Sequence, residues 1–311
     1  MERPETASVP ESQVGSGDRS SRETSTARRD MTLRGLVIAV LAVTSVATSA
    51  VLIRLASGVS AFEIAFWRLV VATAALTPPM LARGGAEALR GVGLGRFAVY
   101  GGILAAHFVA YNLALRYAPI AHVLPLAYTS IVIVAVLSWL VLRERLTHRQ
   151  VAGIAVVLLG IAVLAGFDPS ISGRVLIGDA FAVLTALTFA LYSIAGRRER
   201  ERVPLLPYAV LVYGFAALWT APLALVTSDG GYSLQVILAL IGLGLIPNAI
   251  GHTLFNASLR YLDATIANVL FTQEITLGIL LGWLVLGEVP SATALIGAVV
   301  MLVGIVAVVR T

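Results

Sequence analysis

The sequence predicts an all-α integral membrane protein in which ten transmembrane helices form two five-helix repeats of inverted topology. Hydropathy, an internal repeat and the placement of arginine each point there. Hydrophobic residues make up 58% of the chain and charged residues only 13%, with a mean hydropathy of +0.91, whereas soluble domains carry about 25% charged residues. Residues 112–161 align without a gap on residues 256–305, a shift of 144 positions, and about a third of the places are identical. Apolar matches recur by chance in membrane sequences, but shared polar ones do not. Asn112, Leu115, Arg116 and Tyr117 return as Asn256, Leu259, Arg260 and Tyr261. Trp139, Leu140, Val141, Leu142 and Glu144 return as Trp283, Leu284, Val285, Leu286 and Glu288, and Gly153, Gly160 and Ile161 as Gly297, Gly304 and Ile305.

Residues 1–33 are rich in Ser, Thr, Glu and Arg and poor in bulky apolar side chains, the composition of a disordered tail, expected here on the cytoplasmic side. No apolar core precedes Gly35, so the tail is not read as a signal peptide. Arg28-Arg29 is read as the basic flank of the first helix rather than as a twin-arginine signal, and Met31 is an alternative start. A spanning helix needs roughly 20 mostly apolar residues. Such runs lie at 34–54, 60–81, 96–116, 120–142 and 149–167, giving a first repeat over 34–167. They continue at 175–196, 205–227, 233–259, 264–286 and 292–309, giving a second over 175–309. Pro78-Pro79, Gly84-Gly85, Asp168-Pro169, Asp229-Gly230-Gly231 and Pro290 read as breaks, and Thr147 and Ser291, at equivalent places, as helix N-caps. Pro119, Pro125, Pro247 and the Gly242/Gly244 pair are hinge candidates.

Five helices is an odd number, so the second repeat enters the membrane from the opposite side. Arginine tests this independently, because all 22 basic residues are Arg and cytoplasmic loops collect them. With a cytoplasmic N-terminus, 18 fall on the inside, three (Arg54, Arg116, Arg174) on the outside and one in the membrane. Arg143, Arg145 and Arg149 become Gly287, Val289 and Thr293 in the second copy, the change expected when the same loop faces outward. Both termini are therefore expected in the cytoplasm, in a bacterial-type inner membrane.

Several chemistries are excluded or disfavoured. Without Cys there are no disulfides or thiol ligands, and without Lys a Walker-type phosphate loop is impossible. The four His form no cluster with metal-ligand spacing, so neither metal nor cofactor is expected. The net charge of +5 belongs to helix-flanking arginines and is no nucleic-acid footprint. No nucleophile and base lie together at depth, so neither an intramembrane enzyme nor a receptor is favoured. A channel would differ by flux that does not saturate.

The Trp-Leu-Val-Leu-Arg-Glu-Arg-Leu-Thr run at 139–147, the Trp-Leu-Val-Leu-Gly-Glu run at 283–288, the paired glycines that follow each, and Phe66-Trp67-Arg68 resemble the EamA-type branch of the drug/metabolite transporter superfamily. The likeness covers nearly everything after residue 34. It implies ten helices in two inverted EamA repeats and movement of small metabolites, often outward. Overall the chain is most similar to the YddG-like exporters of aromatic and other neutral amino acids. The expected function is export of small amphipathic metabolites by alternating access, with amino acids foremost and efflux of lipophilic cationic drugs, proton-coupled, as the alternative. The implied partners are a small-molecule substrate and membrane lipid.

An ionised side chain near the bilayer centre costs about 2.5–3.5 kcal/mol on insertion scales. Only Arg68 and Glu274 lie that deep. They form structural contacts, as an ion pair with each other or with backbone carbonyls, or Glu274 takes a coupling proton or a substrate ammonium and Arg68 a carboxylate. His107 and Tyr111 are one turn apart on the third helix and share a face, while Tyr128 and Gln273 lie at similar depth. The resemblance implies a cavity lined by helices 3, 4, 8 and 9, with His107, Tyr111, Tyr128, Phe271 and Gln273 as substrate-binding residues. Glu144 and Glu288, at helix ends on opposite faces, are expected to be structural or gating contacts. Asn112, Asn248 and Asn256 are read as bonds between helices, and Trp67 and Trp219 as packing.

Overall fold

The structure, a computed structural model, describes residues 32–118, 120–165, 173–228, 230–287 and 289–310. The expectations for the tail up to Met31, Pro119, Asp168-Pro169, Asp229 and Glu288 fall outside these residues. The described residues form helices and connecting turns, without strands. In chain order the helices are α1 (Thr32–Leu55), α2 (Ala61–Ala82), α3 (Leu94–Tyr117), α4 (Val123–Leu142), α5 (His148–Ala165), α6 (Gly173–Glu199), α7 (Leu205–Val226), α8 (Leu234–Ser258), α9 (Ala264–Val285) and α10 (Ala292–Val309). Eight are long and apolar enough to cross a membrane. The exceptions are α5 and α10, of 18 residues each, in which the apolar stretches His148–Leu164 and Leu295–Val309 are shorter.

Local chemistry sets the helix ends. Ser60 and Glu63 form a capping box at the start of α2, each side chain accepting the other's backbone N–H, at 3.2 and 3.1 Å. Thr147 and Gln150 do the same ahead of α5, at 3.2 and 2.8 Å, which satisfies otherwise orphaned donors. The break expected at Pro78-Pro79 comes later, at Gly84, which takes a left-handed φ of 70°. Proline's fixed φ is helical, so the pair removes two ladder bonds without ending α2.

Three helices are interrupted at a threonine. The break at Ala47-Thr48 interrupts α1, Thr129 interrupts α4 and Thr272 interrupts α9. In each the hydroxyl donates to the carbonyl three residues back: Thr48 to Ser45 at 2.8 Å, Thr129 to Leu126 at 2.6 Å and Thr272 to Val269 at 2.7 Å. Such bonds compete with the helical ladder. Helix α8 is altered differently, widening to π geometry over Gly244–His252, around Pro247. Gly244 is a packing site rather than a free hinge. A Cβ there would sit 2.4 Å from Val71 Cβ and 3.1 Å from the Arg68 carbonyl, so α8 approaches α2 closely at this point.

Glycines also make the seam between α5 and α10. A Cβ on Gly153 would lie 2.9 Å from the Gly304 carbonyl, and one on Gly160 2.8 Å from that of Gly297. Small residues that let backbones touch are the usual means of association where no hydrophobic drive exists. The outer surface is apolar, as hydrocarbon requires: Trp139, Leu140, Trp283 and Leu284 are all exposed.

Arg143 and Gly287, at equivalent places in the repeat, both end their helices in the left-handed region, with φ of 59° and 72°. Arg143 is the only non-glycine with positive φ among the described residues. A side chain there costs about 1 kcal/mol relative to glycine. Arg143→Gly is therefore expected to raise stability by about 1 kcal/mol, read as a higher thermal midpoint in detergent.

Candidate functional site

At mid-depth the helices enclose a cavity of about 40 Å3. That is well short of the roughly 300 Å3 at which ligand pockets begin, so a ligand of ordinary size fits only if the walls part. Part of its lining lies beside the threonine interruptions. Ser49 follows the break in α1, Tyr128 precedes the one in α4, and Phe271 and Glu274 flank the one in α9.

Arg68 reaches the cavity from α2 and is 1% exposed. Its Nε and Nη2 donate to Asn248 Oδ1 on α8, at 3.0 and 2.7 Å. Its guanidinium carbon lies 3.9 Å from the centroid of the Phe108 ring, a cation–π contact. Nη1 is buried and has no hydrogen-bond partner. Glu274, on α9, accepts from Tyr128 and, at 3.5 Å, from Tyr111. The two charges therefore do not form the ion pair considered from the sequence. Asn248 and the two tyrosines reach them first, and among the described residues no salt bridge joins them. Asn248 on the π segment and Tyr111 and Tyr128 on two other helices thus hold both charges by hydrogen bonds, which makes their burial bearable.

Aromatic rings fill the rest of the wall. His107 stacks parallel to Tyr111 with ring centroids 6.4 Å apart, and lies 5.1 Å from both Phe108 and Phe189. His252, on the π segment, stands edge-on to Phe108 at 5.2 Å and to His107 at 6.4 Å. Phe271 stacks on Phe189 at 5.9 Å.

The structure brings together His107, Tyr111, Tyr128, Phe271, Arg68 and Glu274 around this cavity. Gln273 is not on its lining. One residue along a helix turns a side chain by about 100°, and here Glu274 takes the inward direction. His252, Phe108, Phe189 and Thr185 line the cavity and were missed, the last two because α6 was not counted among the walls. A histidine inside an apolar run was the available signal for His252. Asn112 donates to the Ala61 carbonyl at 3.0 Å and Asn256 to Tyr192, both between helices as expected. Trp67 donates to Tyr232 at 3.1 Å and Trp219 to the Ala98 carbonyl at 3.0 Å.

The two ends of the bundle differ. At the end where α3 finishes and α8 starts, a polar vestibule of about 630 Å3 is lined by residues that include Ser60, Glu63, Arg116, Thr227 and Tyr232. The opposite end is tied shut. Glu144 accepts from Arg197 Nε at 2.9 Å and from the Ala264 amide at 3.2 Å, at the first turn of α9. Arg197 also donates to the Leu259 carbonyl at 3.2 Å. Nearby, Glu199 accepts from Tyr100 at 3.1 Å and pairs with Arg96 at 3.4 Å. Burial and Asp263 push the Glu144 carboxyl up from its ordinary value, while Arg197 and the Ala264 amide pull it down. Glu144 thus joins the ends of α4, α6 and α9. Glu144→Ala is expected to loosen this end by about 1–2 kcal/mol, read as roughly tenfold faster amide exchange across residues 259–264.

The sequence pattern of the EamA-like transporter family matches residues 33–166 and again 176–310. A pseudopaline exporter of Pseudomonas aeruginosa is 27% identical over 91% of this chain and 98% of its own. A riboflavin transporter of Brucella anthropi is 24% identical over 79% of this chain and 87% of its own. An uncharacterized transporter of Clostridium kluyveri is 26% identical over 54% of this chain, and the match spans 56% of that protein. A solved crystal structure superposes with a TM-score of 0.74 and 26% identity, covering 90% of this chain and 97% of that one.

Proposed function

The chain belongs to the EamA-like transporter family and is a multi-pass membrane transporter, and from that premise we propose that it exports small amphipathic metabolites, neutral and aromatic amino acids foremost, by alternating access. The observation that carries the reading is the pairing of opposite charges on one cavity without mutual neutralisation. Arg68 offers an unpartnered Nη1 and Glu274 a carboxylate held by two tyrosines. A zwitterion presents the complementary pair, its carboxylate to Arg68 and its ammonium to Glu274, while His107, Tyr111, Tyr128 and Phe271 receive an apolar side chain. The cationic-drug alternative is less well supported, because a guanidinium shares the cavity with the carboxylate.

In this reading α5 and α10 are the two remaining spans. Eighteen residues rise about 27 Å at 1.5 Å each, close to the roughly 30 Å hydrocarbon core. The inverted repeat is supported by the seam between them. Gly153 touches the repeat equivalent of Gly160, and Gly160 touches that of Gly153, the reciprocity of a two-fold interface. Arginine on the Glu144 side supports cytoplasmic termini in an inner membrane. The tied end is then cytoplasmic and the vestibule external, and alternating access opens the first as it closes the second.

Uptake of radiolabelled neutral and aromatic amino acids into proteoliposomes, with and without a pH gradient, tests the function. Saturable uptake is expected. Entry of a lipophilic cation but of no amino acid would replace this reading with drug efflux.

A further inference from the structure

Resting on the amino-acid reading above, we propose that the cavity selects cargo whose apolar end carries a hydrogen-bond donor, a phenol or an indole N–H, and that His107 Nε2 is the acceptor that reads it. The assignment starts from the ring's other nitrogen. His107 Nδ1 lies 3.3 Å from the Thr185 carbonyl oxygen. A carbonyl only accepts, so Nδ1 carries the proton and, in the neutral ring, Nε2 presents a lone pair. The Thr185 oxygen also accepts from the Thr188 hydroxyl at 3.1 Å, so its role as acceptor is doubly used.

Nε2 itself has no partner in the fold. Unlike His252 Nδ1, which is enclosed and unpartnered, it retains open surface. His107 is on the cavity wall and 7% exposed, so that surface opens onto the cavity. Phe108, Phe189 and the parallel ring of Tyr111 surround it. The result is a slot for a flat apolar group with a single acceptor set in its wall.

The selectivity follows from what an unpaired acceptor costs. Cargo that fills the slot with a donor replaces the water lost from Nε2. Cargo of the same shape without a donor leaves that nitrogen dry and unpaired, a penalty that corresponds to roughly ten- to a hundredfold in affinity. Sites built to bond a polar group reject analogues that lack it far more strongly than sites that merely measure size.

The test compares cargo pairs of matched shape in proteoliposomes: tyrosine against phenylalanine, and tryptophan against benzothienylalanine, in which sulfur replaces the indole N–H. In the wild type, half-saturating concentrations are expected to be ten- to a hundredfold lower for the donor-bearing member of each pair. In His107→Phe, which keeps an aromatic ring but no acceptor, the preference is expected to fall to within about twofold, and in His107→Gln, which regains an acceptor, to return in part. Equal handling of both members by the wild type, or a preference that survives His107→Phe, overturns the proposal while any saturable amino-acid uptake leaves the transport reading standing. Absence of uptake for all four overturns both.

Discussion

Glu274→Gln is expected to lower amino-acid uptake by about a hundredfold while leaving the fold intact. The amide keeps the shape of the carboxylate and its oxygen still accepts from Tyr128 or Tyr111, so the wall stays in place. What disappears is the charge that faces a substrate ammonium. Removing one member of a desolvated charge pair costs about 3 kcal/mol, and 1.4 kcal/mol is tenfold. Proteoliposome uptake at saturating and subsaturating amino acid checks this. A variant that transports like the wild type would make Glu274 a structural residue and remove the zwitterion reading.

The second large effect concerns stability. Asn248→Leu leaves a fully buried guanidinium with only Phe108 against it, and is expected to cost about 3 kcal/mol, since an uncompensated buried charge is far more costly than an apolar replacement of the whole pair. The double variant Arg68→Leu, Asn248→Leu is expected to recover most of that stability and none of the transport. Thermal melts in detergent beside uptake assays separate the two properties. If the double variant were as unstable as the single one, Asn248 would act through packing of the π segment rather than through Arg68.

Much of this architecture was legible in the sequence because a membrane restricts the options: an apolar run of some 20 residues has little else to be but a helix. The eight helices long and apolar enough to span agree with the expected runs to within a few residues at most ends, and Thr147 caps as expected. The site was partly legible for a related reason. Arg68, Glu274 and His107 are conspicuous where polar groups are expensive, and all three line one cavity. What could not be read was direction around the helix. Gln273 and Glu274 are neighbours, and only Glu274 reaches the cavity lining. Asn248 and His252 depend on a π segment whose wider winding no 3.6-residue periodicity anticipates. The partner of Arg68 could not be read either, because a sequence shows charges at similar depth but not which side chain arrives first.

The glycine seam between α5 and α10 bears on where such a protein comes from. It is made by one stretch of sequence lying against its own copy, which is the contact a pair of separate half-length molecules would make if one were inserted upside down. In the proposed topology, a gene encoding a single five-helix unit, indifferent to its orientation, would already own this interface as a dimer. Duplication and fusion would then have made the pairing permanent, and the unequal arginines of the two loops would record each half's later commitment to one direction.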